Sequence, residues 1–329
     1  MKKIIALFIF AILSLNSHRA MAENTSKGCP TDTEQAYKTV LQLKELGKFE
    51  DIMPCLKDKA LLLKILGAAQ NNDLDAIEIA GTAYIAGIEG TFKPNYLIGN
   101  EYFRRLKQET NGEVSNIEEL DMVIQSTKYL VQQAEDDDKI LYGTMQIEER
   151  LRWNECDEAM FDISANIITQ TSKQTQDIEK LNKALSVCQT TAKSFEYNLR
   201  RPIYLTRLYQ LLGDDKSAQE VHDAALLKNG IRISGDFLKT LGDKLFYRKK
   251  QDAQANYLAA AIAGNKKSIC LLGYNYLYPD LAPKMLQNPQ DYQEEYTKII
   301  AWYDVGISKD ESDCQEFRDS LVKLFDKNK

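Results

Sequence analysis

Of the 329 residues, those whose types and spacing could do chemistry are six Cys, two His and a Ser320-Leu321-Val322-Lys323 tetrad. The tetrad sets a serine one helical turn before a lysine, a spacing at which an amine can take the proton of a nucleophilic hydroxyl. Its companions are missing. No S-D-N or K-T-G occurs, and the nearest fragment is Ser312-Asp313-Cys314. His222 lies within Val221-His222-Asp223, and His18 falls in the leader described below, so sites that need two imidazoles are excluded. Asp73-x-Asp75 and Asp136-Asp137-Asp138 lack the glycine and distal glutamate of a calcium loop. H-E-x-x-H, G-x-S-x-G, G-x-x-x-x-G-K-[ST] and G-x-G-x-x-G are absent as well. The expectation is a protein with no catalytic, cofactor-binding or metal site, in which His222, Ser320 and Lys323 occupy solvated helical positions.

The cysteines then carry the chemistry, and their compartment decides it. Lys2 and Lys3 open a leader, Ile4 to Leu15 form an apolar run broken by Ser14 alone, and Ala20-Met21-Ala22 offers a small-x-small cleavage site. A run of twelve is too short for a bilayer, which needs about 20 residues. Residues 1–22 are therefore expected to be a cleaved bacterial export signal, leaving no transmembrane span. Cys29 follows Ser26-Lys27-Gly28 and not a lipobox, so no lipid anchor is expected, and the Asn24-Thr25-Ser26 sequon is read as accidental. The expected location is the periplasm of a Gram-negative bacterium, or outside the cell, where an even number of Cys forms lasting disulfides.

Cleavage would leave 39 basic and 48 acidic side chains over 307 residues, a net charge of −9. That balance disfavours nucleic acid as a partner. Residues 113–138 hold eight of the acids against Lys128 alone, which reads as a solvated face, a docking surface for a basic partner, or both. Apolar and charged residues make up 44% and 27% of the chain, ordinary globular usage that excludes a disordered or polytopic membrane chain.

Helical spacing dominates and no run alternates as a strand would. Breaks fall at Gly47-Lys48, Gly87 to Pro94, Asn111-Gly112, Thr171 to Thr175, Arg201-Pro202, Gly213, Asn229-Gly230 and Pro279 to Pro289, leaving pieces of mostly 12 to 20 residues. Thr31 is placed as a first cap, with Glu34 reaching back to it. Ala69, Asn72, Ala76, Ile77, Ala80, Gly81 and Tyr84 superimpose, at a constant offset of 192, on Ala261, Gly264, Ser268, Ile269, Leu272, Gly273 and Tyr276. After each block comes a Pro-containing loop, Thr91 to Asn95 or Pro279 to Gln290, and then an aromatic pair, Tyr102-Phe103 or Trp302-Tyr303. Such a unit cannot bury its apolar face alone and must stack on neighbours.

Tyr257-Leu258, Ala260-Ala261, Gly264-Asn265, Leu272-Gly273 and Tyr276, followed by Trp302-Tyr303, resemble the Sel-one-like repeat, and residues 69–112 are similar. Leu205, Leu208-Tyr209, Leu212-Gly213-Asp214, Ala218 and Ala224-Ala225 look more like a tetratricopeptide repeat. The resemblance implies an all-α fold, an α-solenoid of antiparallel helix hairpins. Residues 23–112 would hold N-terminal repeats, 113–200 an irregular helical middle region, and 201–329 the C-terminal repeats with a terminal helix.

Six Cys permit fifteen pairings, and hairpin geometry favours Cys156 with Cys188, whose mean position falls in the break at Thr171 to Thr175. Cys270 and Cys314 meet if Cys314 begins a helix running back beside the first. Cys29 with Cys55 remains by elimination. A symmetric hairpin about Gly47 does not bring these two level, and Pro54 would have to bend the chain.

The expected function is non-catalytic binding of another periplasmic or secreted protein in the groove of the solenoid, with Tyr274, Tyr278 and Tyr292 as groove residues because they fall off the packing positions. Exported Sel-one-like proteins include immunity proteins that neutralise phospholipase effectors of type VI secretion, and the acidic balance suits a basic toxin. Other Cys-rich exported relatives are β-lactamase-like. Their Cys pairs recur at short spacing, whereas here the separations are 26, 32 and 44 residues, a departure that weakens the transfer and leaves a β-lactamase-like repeat enzyme only as an alternative expectation.

Overall fold

The computed structural model describes residues 29–110, 120–126, 153–163, 178–190, 199–278 and 281–326. Among these the regular structure is helical and no strand occurs; a single antiparallel bridge joins Ile88 and Phe92. No helix of the described residues is long and apolar enough to cross a membrane. The chain forms two compact units, residues 1–146 with 226–231, and residues 147–225 with 232–329.

In the first unit the helices are α1 (Thr33–Glu45), α2 (Phe49–Cys55), α3 (Lys59–Gln70), α4 (Leu74–Ala86) and α5 (Tyr96–Glu109). Every start but that of α2, which follows Lys48 without a side-chain cap, is set by a short polar side chain that accepts an otherwise unpaired N–H three residues on. Asp32, Asp58, Asp73 and Asn95 accept from Gln35, Leu61, Ala76 and Ile98 at 2.8, 2.8, 3.0 and 3.1 Å. Such a cap contributes about 1 kcal/mol. The first cap is thus Asp32 and not Thr31, and Glu34 pairs with Lys64 of α3 instead of reaching back. α3 turns Leu61, Leu62, Ile65, Leu66 and Ala69 inward against Ala76, Ile77 and Ala80 of α4.

Tyr84 ends that face. Its ring stacks on Phe92 and Tyr102, and its hydroxyl lies 2.9 and 3.0 Å from the carbonyls of Leu226 and Leu227. Burial holds the phenols of Tyr84 and Tyr102 above their ordinary value, and burial with Asp73 pushes Tyr37 up to about 12. A phenol that resists ionisation when folded stabilises fully below about pH 10, where it is still protonated in the unfolded chain, and stops doing so as pH rises through its folded value. In alkaline titration we expect part of the tyrosinate absorbance to appear only together with loss of helical circular dichroism. Full ionisation near pH 10 with the helices intact would contradict the packing.

The second unit contains α6 (Glu155–Asp162), α7 (Ile178–Thr190), α8 (Arg200–Leu212), most of α9 (Asp215–Asn229), α10 (Gly235–Leu245), α11 (Lys250–Ile262), α12 (Lys267–Leu277), α13 (Leu281–Gln287), α14 (Gln293–Ser308) and α15 (Ser312–Asp326). Gly213 turns the chain between α8 and α9 at φ 79°, a value glycine adopts without a Cβ penalty. Consecutive helices pack as pairs, α10 on α11, α11 on α12 and α14 on α15, while α12 also meets α14 and α15. The stretch from 279 to 290, expected as a loop, holds α13 instead. Its proline, Pro283, lies in the first helical turn, where a missing N–H costs nothing, and Ala282 and Met285 are buried beneath it.

The two sequence blocks build the same arrangement. Each has a first helix ending at Gln70 or Ile262, a turn residue of positive φ (Asn72 at 65°, Gly264 at 97°), and a second helix four residues on or fewer. Asp73 and Asn265, 192 apart, accept from the N–H groups of Ala76 and Ser268, also 192 apart. In each second helix a glycine lets an aromatic pair of a third helix close in: a Cβ on Gly81 would lie 3.0 Å from the Phe103 ring, and one on Gly273 2.8 Å from the Tyr303 ring.

Candidate functional site

Three disulfides set the frame. Cys29–Cys55, Cys156–Cys188 and Cys270–Cys314 close with Cα separations of 5.4, 4.6 and 5.0 Å. The Thr171 to Thr175 break, from which the second pairing was reasoned, lies outside the described residues, as do Asp136-Asp137-Asp138 and most of the acidic stretch 113–138.

Beside Cys156, Asp157 closes a capping box with Asn154 and receives a two-point ion pair from Arg200 at the start of α8, Nε at 2.9 Å and Nη2 at 2.7 Å. Both side chains are 0% exposed. Burial opposes the charge on Arg200, but Asp157, Tyr204 and Asp252 together hold the guanidinium above its ordinary value. Burial holds the Asp157 carboxyl above the usual range against the pull of Arg200. The Tyr204 hydroxyl, one turn along α8, donates to Ala255 of α11 at 2.9 Å. This polar knot fixes α6, α8 and α11 against one another.

The Cys270–Cys314 bridge ties α12 to α15, and Gly306 of α14 lies directly against it: a Cβ there would sit 1.9 Å from the Cys314 sulfur. Cys270 and Tyr274 lie four apart on one face of α12, and Tyr278, the residue that caps its C-terminus, follows four further on. Cys314 and Phe317 share one face of α15 at an interval of three. The bridge therefore sets the spacing of a row of rings. Tyr274 lies 4.9 Å from Tyr278, 5.3 Å from Phe317 and 5.8 Å from Phe246 at the end of α10, and Phe246 meets Tyr247 edge to face at 4.8 Å. Tyr247 is 95% exposed and Tyr278 38%. Among the described residues the hydroxyls of Tyr247, Tyr274 and Tyr278 have no hydrogen-bond partner. A row of aromatics with polar tips turned outward is the composition that protein interfaces favour.

Of the three expected groove tyrosines, the structure brings Tyr274 and Tyr278 together and leaves Tyr292, half-buried in the 3-10 turn Pro289–Tyr292, out of the row. Phe246, Tyr247 and Phe317 were not anticipated. The signal was Phe246-Tyr247 at a helix end, where successive residues point about 100° apart and cannot both turn into the core.

The remaining candidates are isolated. His222 is 3.8 Å from Asp223, beyond hydrogen-bond range, and its side chain is 40% exposed. Ser320 and Lys323 are both exposed on α15 and share no hydrogen bond. Asp73 caps α4 and accepts from the Tyr37 hydroxyl at 3.1 Å, while Asp75 pairs with Lys44 at 2.6 Å. No group of His, Cys, Asp or Glu among the described residues could hold a metal ion. No family model, curated protein or solved structure matches the chain.

Proposed function

We propose that this chain is an exported, non-catalytic helical-repeat protein of the Sel-one-like and tetratricopeptide-like kind, whose hairpins stack as a solenoid, and that it binds another protein through the face of Phe246, Tyr247, Tyr274, Tyr278 and Phe317. The observation that carries the reading is the ring row, half-buried at Phe246, Tyr274 and Phe317 and exposed at Tyr247 and Tyr278, beside the Cys270–Cys314 bridge and with no hydroxyl of the row bonded among the described residues. The common build of the two blocks supports stacked repeats, and three disulfides suit an oxidising compartment such as the periplasm. A net −9 after the leader suits a partner of basic character, as a secreted toxin would be for an immunity protein. Ser320 and Lys323, apart and solvated, support no acyl-enzyme chemistry.

The test is a photo-crosslinking phenylalanine analogue placed at Tyr247 in intact cells. One dominant protein adduct is expected. Tyr278→Ala should weaken binding to the captured protein by about thirtyfold, the loss of a central aromatic contact of about 2 kcal/mol. Tyr292→Ala and Ser320→Ala should change nothing. Equal capture from position 292, or no protein adduct from 247, would overturn the reading.

A further inference from the structure

A second, chemically different site lies where three rings meet around a cation. Phe161 stands in the last turn of α6, Tyr276 in the last turn of α12, and Trp302 follows Lys298 by one turn of α14. Each ring meets the other two: Phe161 and Trp302 at 5.3 Å, Phe161 and Tyr276 at 5.6 Å, and Tyr276 edge-on to Trp302 at 5.4 Å. The Lys298 ammonium is set among them, 4.5 Å from the Phe161 centroid, 5.7 Å from that of Trp302 and 5.8 Å from that of Tyr276. All three distances lie within the reach of a cation–π contact, about 6 Å.

The chain's own amine fits this corner poorly. A primary ammonium carries three N–H donors, and Lys298 has no hydrogen bond or ion pair among the described residues. Ring faces attract charge but accept hydrogen bonds only weakly, so donors turned toward the rings lose water and gain little for it. Burial holds the amine below the ordinary lysine value, against the pull of Asp162, Glu294 and Glu295. A quaternary ammonium has no N–H to strand. It keeps the attraction of the three rings without the donors' loss, which makes it the better occupant of the same place.

Space for such a group adjoins the rings. Lys298 also lines a cavity of about 650 Å³, together with Asp162, Glu294 and Thr297, and that volume is in the range of small-ligand sites. Swinging the half-buried Lys298 side chain out to solvent breaks no hydrogen bond among the described residues and opens the rings to that space. The carboxylates then decide the charge of the ligand. Asp162 and Glu294 line the cavity and Glu295 acts on the same ammonium, so with Lys298 displaced the site favours a net cation over a zwitterion.

We propose that Phe161, Tyr276 and Trp302 form a site for a soluble organic cation bearing a trimethylammonium group, which takes the place of the Lys298 ammonium. The site does not depend on the proposed protein partner. Tyr276 lies two residues from Tyr274, about 200° around α12, and so faces away from the ring row.

The test is titration of the leaderless oxidised chain followed by tryptophan fluorescence, since Trp302 belongs to the site and Trp153, the chain's other tryptophan, lies edge-on to Phe161 at 5.5 Å. Choline should bind saturably and at least about tenfold more tightly than ethanolamine, its primary-amine counterpart. Lys298→Ala should bind choline about tenfold more tightly than the wild-type chain, with circular dichroism unchanged, because the competing ammonium is gone. Phe161→Leu should weaken choline about tenfold. Glycine betaine, whose carboxylate meets Asp162 and Glu294, should bind more weakly than choline, and phosphatidylcholine vesicles should not sediment the chain. Absent choline binding to the wild-type chain, ethanolamine bound as tightly, a Lys298→Ala chain no tighter than wild type, or vesicle sedimentation that choline reverses would each overturn the proposal.

Discussion

Arg200→Met is expected to destabilise the second unit by about 3–5 kcal/mol, because it leaves the Asp157 carboxylate buried without its counter-charge. Whole domains are commonly stable by only about 5–15 kcal/mol, so the variant should unfold far earlier in urea. The loss belongs to the stranded charge more than to the bond itself. Asp157→Asn combined with Arg200→Met should therefore recover much of it, since an amide can still accept from the Asn154 N–H and carries no charge to desolvate. Urea unfolding followed by circular dichroism reads both variants. An Arg200→Met chain with the wild-type midpoint would mean that water reaches Asp157 and that the knot does not hold α6 to α8.

A second large effect is expected at Gly306. An alanine Cβ would lie 1.9 Å from the Cys314 sulfur and 3.4 Å from that of Cys270, so α14 and α15 must part before the side chain fits. Gly306→Ala should thus fold with the Cys270–Cys314 link open, two thiols reacting with an alkylating agent where the native chain has none. Opening a loop of 44-residue separation removes about 4 kcal/mol in the chain-entropy account. It also releases Tyr274 from Phe317, so capture through Tyr247 should fall along with stability. The double variant Cys270→Ala, Cys314→Ala separates the effects: it opens the same loop with no clash. A fully oxidised Gly306→Ala chain of native stability would show that the helices adapt at no cost.

Much of this architecture was legible because its signals are local. Asn72 and Gly264 share a place in the repeat since both types tolerate positive φ, and Gly81 and Gly273 share one since each lies under an aromatic pair. The pairing of Cys270 with Cys314 was legible only on the condition that Cys314 opens a helix running back beside the first, and α15 begins at Ser312. The knot was not legible. Arg200 and Asp157 are 43 residues apart in irregular sequence, and an arginine next to the Arg201-Pro202 break reads as a surface residue until packing shows it buried. Three of the five aromatic-face residues, Phe246, Tyr247 and Phe317, escaped for the same reason: α10 and α15 bring Phe246 and Phe317 to Tyr274 of α12, a meeting that no spacing along the chain announces.

The three sulfur links join the first cysteine to the second, the third to the fourth and the fifth to the sixth. None encloses or crosses another. A chain threaded N-terminus first into an oxidant meets each correct partner before any later thiol has emerged, so the order of delivery alone selects the native pairing and no isomerase has to reshuffle it.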